Sequence, residues 1–170
     1  MAHFQPDSPA RRVAHLGLLF ALALALSYVE WLIPPIPGLP PGIKLGLANI
    51  VTMYTLYSLH QKASILLTLT KSLFALLVRG ATAAILSLCG GLCSILVMVL
   101  LLKWGKEKLS PLLVSAFGGM AHNLGQLLGA MLLLRMPALW VYLPVLLLAG
   151  IAMGCVTGVV WRTIQSHHVF

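Results

Sequence analysis

Residues 81–102 read ATAAILSLCGGLCSILVMVLLL, with no charge and no alternation of apolar and polar positions. A half-buried strand alternates; a helix crossing about 30 Å of hydrocarbon instead needs roughly 20 mostly apolar residues in succession. In lipid only a helix or a closed barrel satisfies its own backbone, and an unbroken apolar run is the signature of the helix. This segment is therefore expected to cross a membrane, and it sets the scale for the rest of the chain. Outward from it, similar runs occupy residues 13–33, 45–59, 63–78, 112–134 and 138–160, the second and third being short. Only one charge, Lys71, lies deep inside any run. The expected fold is an all-α integral membrane protein, a six-transmembrane-helix bundle forming a single domain over residues 1–170.

Composition leaves room for little else. Of 170 residues, 60% are hydrophobic and 8% charged, so no soluble domain and no long linker fit. The formal charge of +8 does not point to nucleic acid, because the basic residues sit at the ends of the apolar runs rather than in a patch. There they serve topology and contact with lipid headgroups. The first run is longer than a signal-peptide core and lacks a small-residue cleavage site, so it is expected to remain in the mature protein. Cys89, Cys93 and Cys155 all lie within apolar runs without a histidine or carboxylate placed to complete a metal site, and are read as small hydrophobes.

Charge asymmetry orients the bundle. If all six runs span, Arg11, Arg12, Lys62, Lys103, Lys106, Lys108 and Arg162 share one side, against Lys44, Arg79 and Arg135 on the other. The positive-inside bias places both termini in the cytoplasm of a bacterial cell. Residues 34–43, with prolines at 34, 35, 37 and 40 and a further proline at 41, then face outward as a stiff, lid-like connection or a plain rigid connector.

Helices in lipid approach closely through small residues. Gly150, Gly154 and Gly158 recur every fourth residue in the last run, as Gly17, Ala21 and Ala25 do in the first. Internal packing is expected of the glycine stripe; the first-run stripe packs internally or faces another protein. Polar residues inside the runs are costly and are candidate site residues. Lys71 should face the interior, the alternative in so short a run being to snorkel toward one surface. His122, Asn123 and Gln126 share a broad face of the fifth run, and Asn49 lies about one turn from Lys44. With Arg79 and Arg135 they make the outer half of the bundle electropositive, opposed only by Glu30, which favours a carboxylate or phosphate on a small-molecule ligand. Interhelical hydrogen bonding alone would also explain the fifth-run cluster.

Several chemistries are excluded. The chain has no phosphate-binding glycine loop, no ATPase motif and no nucleophile with an evident base. A prenyl diphosphate synthase needs clustered aspartates for Mg²⁺, and the one aspartate is Asp7. No cofactor or metal site is legible.

Two motifs carry a family resemblance: Pro41-Gly42-Ile43-Lys44-Leu45-Gly46-Leu47-Ala48-Asn49 and Ala121-His122-Asn123-Leu124-Gly125-Gln126-Leu127, with Gly90-Gly91-Leu92 and Tyr142-Leu143-Pro144-Val145 in support. From about Arg11 to Trp161 the chain resembles the Gx transporter family, also labelled heptaprenyl diphosphate synthase component I. That family is similar to the substrate-capture (S) components of energy-coupling-factor (ECF) transporters. The resemblance implies an outward-facing substrate site with Lys44, Asn49, Lys71, Arg79, His122, Asn123 and Gln126 as candidates. It also implies a transmembrane coupling subunit, which Gly17, Ala21 and Ala25 would meet, and cytoplasmic ATPases that supply the energy. On this reading the chain is not itself an enzyme. The alternative is an accessory membrane subunit of polyprenyl diphosphate or quinone synthesis.

Overall fold

The computed structural model describes residues 9–32, 46–105 and 109–166. Among them are six α-helices and no strand: α1 (Pro9–Leu32), α2 (Asn49–Ser58), α3 (Gln61–Arg79), α4 (Ala81–Gly105), α5 (Pro111–Leu134) and α6 (Leu143–Ser166), with a 3₁₀ helix at Pro137–Tyr142. The lid-like segment 34–43, Lys44, Lys106 and Lys108 lie outside the described residues.

Four segments are long and apolar enough to cross a membrane: Val13–Leu32, Gln61–Arg79, Ala81–Gly105 and Pro137–Ser166. The chain is a multi-pass membrane protein. α5 falls outside that set because His122, Asn123 and Gln126 interrupt an otherwise apolar helix, and it tolerates them by being buried along its length between α4 and α6.

The breaks between helices follow local chemistry. Gly80 adopts φ +87°, a left-handed conformation that turns the chain from α3 into α4. The Ser110 hydroxyl caps α5 by accepting from the Leu113 amide, and Pro111 occupies the first turn, where its missing N–H costs nothing. The sixth run differs from expectation. It opens as a 3₁₀ turn, and the α-helix begins only at Leu143, with Pro144 in its first turn. Prolines at 137 and 144 punctuate the run, each tolerated at the start of a helical segment but not in its interior.

α2 is the larger departure. The run 45–59 yields a helix over Asn49–Ser58 only. Ten residues rise about 15 Å, half the hydrocarbon thickness. Gly46 precedes it with φ +89°, and a Cβ there would lie 3.2 Å from Cδ2 of His122, midway along α5. The helix therefore starts at the middle of the bundle. Non-helical backbone at that depth is stable only when buried in protein, and here the Gly46 N–H donates to Oε1 of Glu30 from α1.

Glycines lock α4, α5 and α6 together. A Cβ on Gly150 would stand 2.7 Å from the Gly119 carbonyl oxygen, and one on Gly158 2.7 Å from Cα of Leu112. On the other side of α5, a Cβ on Gly125 would meet the Cys89 carbonyl at 2.7 Å, and one on Gly90 the His122 carbonyl at 2.9 Å. Backbone lies against backbone on both faces, the contact that small residues permit in lipid. The glycine stripe of the last run thus packs internally, a choice that its spacing alone leaves open.

α1 is attached differently. It buries Leu19, Ala23 and Glu30. Gly17, Ala21 and Ala25 are exposed, and a Cβ on Gly17 would touch nothing within 4 Å. At about 100° per residue the two sets point roughly half a turn apart. Leu19 and Ala23 pack with Val51, Met53, Tyr54, Leu67 and Trp161, and a second cluster joins Leu56, Met98 and Val114. These apolar layers fill the half of the bundle nearer His60.

Candidate functional site

The opposite half, toward Arg79, holds the buried charged residues, beside a third apolar cluster of Leu86, Leu127, Ala130, Leu139 and Leu146. Lys71 is at the eleventh position along α3 and is only 4% exposed. Its ammonium reaches across to α2, donating to Oδ1 of Asn49 (3.4 Å) and Oγ1 of Thr52 (3.3 Å). Asn49 and Thr52 are three apart at the start of a helix, so both point at α3. An ammonium has three donors, and two are used.

From α5, the Nε2 atoms of His122 and Gln126 lie 3.1 Å apart, the i, i+4 spacing that stacks them on one face. His122 Nδ1 is buried without a hydrogen bond, on the side of Gly90 in α4. Arg79, at the end of α3, presents Nη1 without a partner. Glu30 is buried at the C-terminal end of α1, within electrostatic range of both Lys71 and Arg79.

These groups surround one cavity of about 30 Å³, which Ser27, Gly46, Ala48, Ala83 and Ser87 also line. That volume admits water but not yet a metabolite. Among the described residues, its charged walls carry two cations against one carboxylate. The helix start at Asn49 adds the positive end of its dipole. Low dielectric strengthens each of these terms.

Of the residues expected from sequence, Asn49, Lys71, Arg79, His122 and Gln126 come together here. Asn123 does not: its amide donates to the Leu146 carbonyl of α6 at 2.8 Å, an interhelical bond. Lys44 is outside the described residues. Arg135 caps α5 in the left-handed conformation, φ 53°, away from the cavity lining. Thr52 and the two serines were not singled out from the sequence. Thr52 is recoverable from its spacing to Asn49; Ser27 and Ser87 have no distinguishing pattern in an apolar run.

The arrangement defines a class of protein: a membrane-embedded six-helix bundle with a cavity lined by charged and hydrogen-bonding groups, set among apolar clusters. The model of the family described as heptaprenyl diphosphate synthase component I matches residues 19–164, and the chain belongs to that family. No curated protein matches the sequence. A solved structure described as the S component of a bacterial ECF transporter superposes with a TM-score of 0.71. It covers 96% of this chain and 100% of that one at 17% identity, so the two share a fold.

Proposed function

We propose that this chain is the substrate-binding membrane subunit of an ECF-type uptake transporter for a small, anionic, vitamin-like or precursor molecule. The observation that carries the reading is the cavity itself. Lys71 and Arg79, Asn49 from a helix that starts at mid-bundle, and His122 with Gln126 converge on one space in the Arg79 half. The positive-inside bias puts that half outside and both termini in the cytoplasm of the bacterial plasma membrane. Apolar clusters fill the cytoplasmic half, so the chain captures rather than conducts. Its sequence has no ATPase motif, and energy for accumulation then comes from cytoplasmic ATPases through a transmembrane coupling subunit. The exposed face with Gly17, Ala21 and Ala25 is the docking surface on this reading: it lets another helix approach to backbone contact and takes nothing from the chain's own packing. The chain is a transport subunit and not an enzyme.

The family's description favours a second reading, an accessory subunit of polyprenyl diphosphate synthesis. Uptake assays separate the two. In proteoliposomes, the ligand that co-purifies with the chain should accumulate only when the coupling subunit and ATPases are present, and Lys71→Gln should abolish its retention. Accumulation by this chain alone refutes the proposed dependence. Stimulation of a prenyltransferase by the purified chain, without any retained small molecule, replaces the transport reading with the second one.

A further inference from the structure

We propose that the cavity takes a compact, hydroxyl-bearing carboxylate, and not an isoprenoid or aromatic acid. The inference rests on the binding role above and narrows it. Among the described residues, Ala48 and Ala83 supply the only apolar side chains that line the cavity; the one ring is the polar imidazole of His122, and no branched aliphatic group faces it. A prenyl or aromatic body would lie against polar atoms that it cannot hydrogen-bond, and stripping water from them without replacement is unfavourable. Such a body also has a better solvent in the surrounding lipid, whereas a hydroxylated acid has none at this depth.

The unspent hydrogen-bonding capacity points the same way. The third donor of Lys71 and Nη1 of Arg79 call for acceptors, which a carboxylate supplies in charge-assisted bonds. Thr55, Ser72 and Thr157 return their hydroxyls to a carbonyl one turn back in their own helices. No such bond joins Ser27 or Ser87 to a described residue, and both line the cavity. A ligand hydroxyl, at once donor and acceptor, satisfies both.

α4, α5 and α6 are locked by backbone contacts at glycine, while α1 buries few side chains, so the cavity widens for a ligand by yielding at α1. The surface gained there adjoins Ser27 and Glu30, with Ala23 and Leu26 about a turn further in.

The test uses the full chain in lipid nanodiscs, with equilibrium dialysis and thermal unfolding against four probes: glycerate, gluconate, geranyl diphosphate and indole-3-acetate. At least one of the two hydroxy acids should bind and raise the unfolding temperature. Affinity should fall about tenfold or more in Lys71→Gln, the scale of a charge-assisted bond, and measurably in Ser87→Ala, which leaves the fold untouched. Lys71-dependent binding of geranyl diphosphate or indole-3-acetate, with neither hydroxy acid bound, overturns the ligand class and leaves the binding role standing. No Lys71-dependent binding of any probe also overturns the class. Mass spectrometry of the purified protein then judges the role separately: a retained small molecule lost in Lys71→Gln keeps it, and none removes it.

Discussion

Two stripes of small residues have the same spacing and opposite surroundings, and substituting one residue in each measures the difference. A methyl group added in Gly150→Ala would stand 2.7 Å from the Gly119 carbonyl oxygen and 2.8 Å from Cα of Met120, against ordinary contact at 3.4 Å. The obstructing atoms are backbone, so no rotamer change relieves them, and α5 and α6 must part by about 0.7 Å. A gap of that size forfeits about a quarter to a half of each dispersion contact along the seam. Overpacking of this kind costs about 1–3 kcal/mol. At roughly 2–4 °C per kcal/mol for a chain of this length, the melting temperature should drop by about 2–12 °C. Gly17→Ala meets nothing within 4 Å and should be silent or slightly stabilising through helix propensity. Thermal unfolding of both variants in one detergent, followed by tryptophan fluorescence, makes the comparison. If Gly17→Ala loses as much stability as Gly150→Ala, or if Gly150→Ala loses none, the assignment of one stripe to the core and the other to a free face is wrong.

Other residues give sharper tests of the site. Asn123→Leu removes the bond to the Leu146 carbonyl and should cost on the order of 0.6 kcal/mol in unfolding while leaving ligand affinity unchanged; a large affinity loss would return Asn123 to the binding set. Gly46→Ala forces a side chain into a left-handed conformation, worth about 1–2 kcal/mol, and pushes on Nδ2 of Asn49, so ligand retention should fall more than expression does. Glu30→Gln keeps an acceptor for the Gly46 amide and should fold, whereas Glu30→Ala leaves that buried N–H unpaired at about 1–3 kcal/mol; equal melting temperatures for the two would remove the bond's structural role. Cysteines at Arg135 and Lys62 should label with an impermeant reagent from outside and from inside respectively, and the reverse pattern would invert the proposed orientation.

Long apolar runs made most of the helices legible in the sequence, since lipid imposes one solution on them. The boundaries of α4 and α5 fall close to where the runs end. What periodicity hid was the start of α2. Leu45, Leu47 and Ala48 are as apolar as their neighbours, but Gly46 at φ +89° ends any helix there, and hydropathy carries no record of a backbone dihedral. The sixth run hid its 3₁₀ opening for the same reason, although Pro137 and Pro144 were visible signs of it.

For the site, rarity was the readable signal. A lysine, a histidine and three amides inside apolar runs stand out because each costs free energy unless it finds partners. Rarity does not say which partner, and His122, Asn123 and Gln126 divide accordingly: two turn to the cavity and one to the α6 backbone. The division follows from angle. On α5, Asn123 is about 100° round the axis from His122, whereas Gln126 is about 40° from it. Gln126 therefore shares the direction that Gly90 opens on α4, while Asn123 faces α6 beside Leu146. Glu30 reads from the sequence as the lone opponent of the basic residues, and in the fold it has a second role. A helix that starts at mid-bundle exposes an amide where no water reaches it, and a carboxylate from α1 accepts from that amide. The charge that tempers the cavity is thus also the group that makes its half-length helix tolerable, so the substitution to glutamine, and not to alanine, is the one that separates charge from fold.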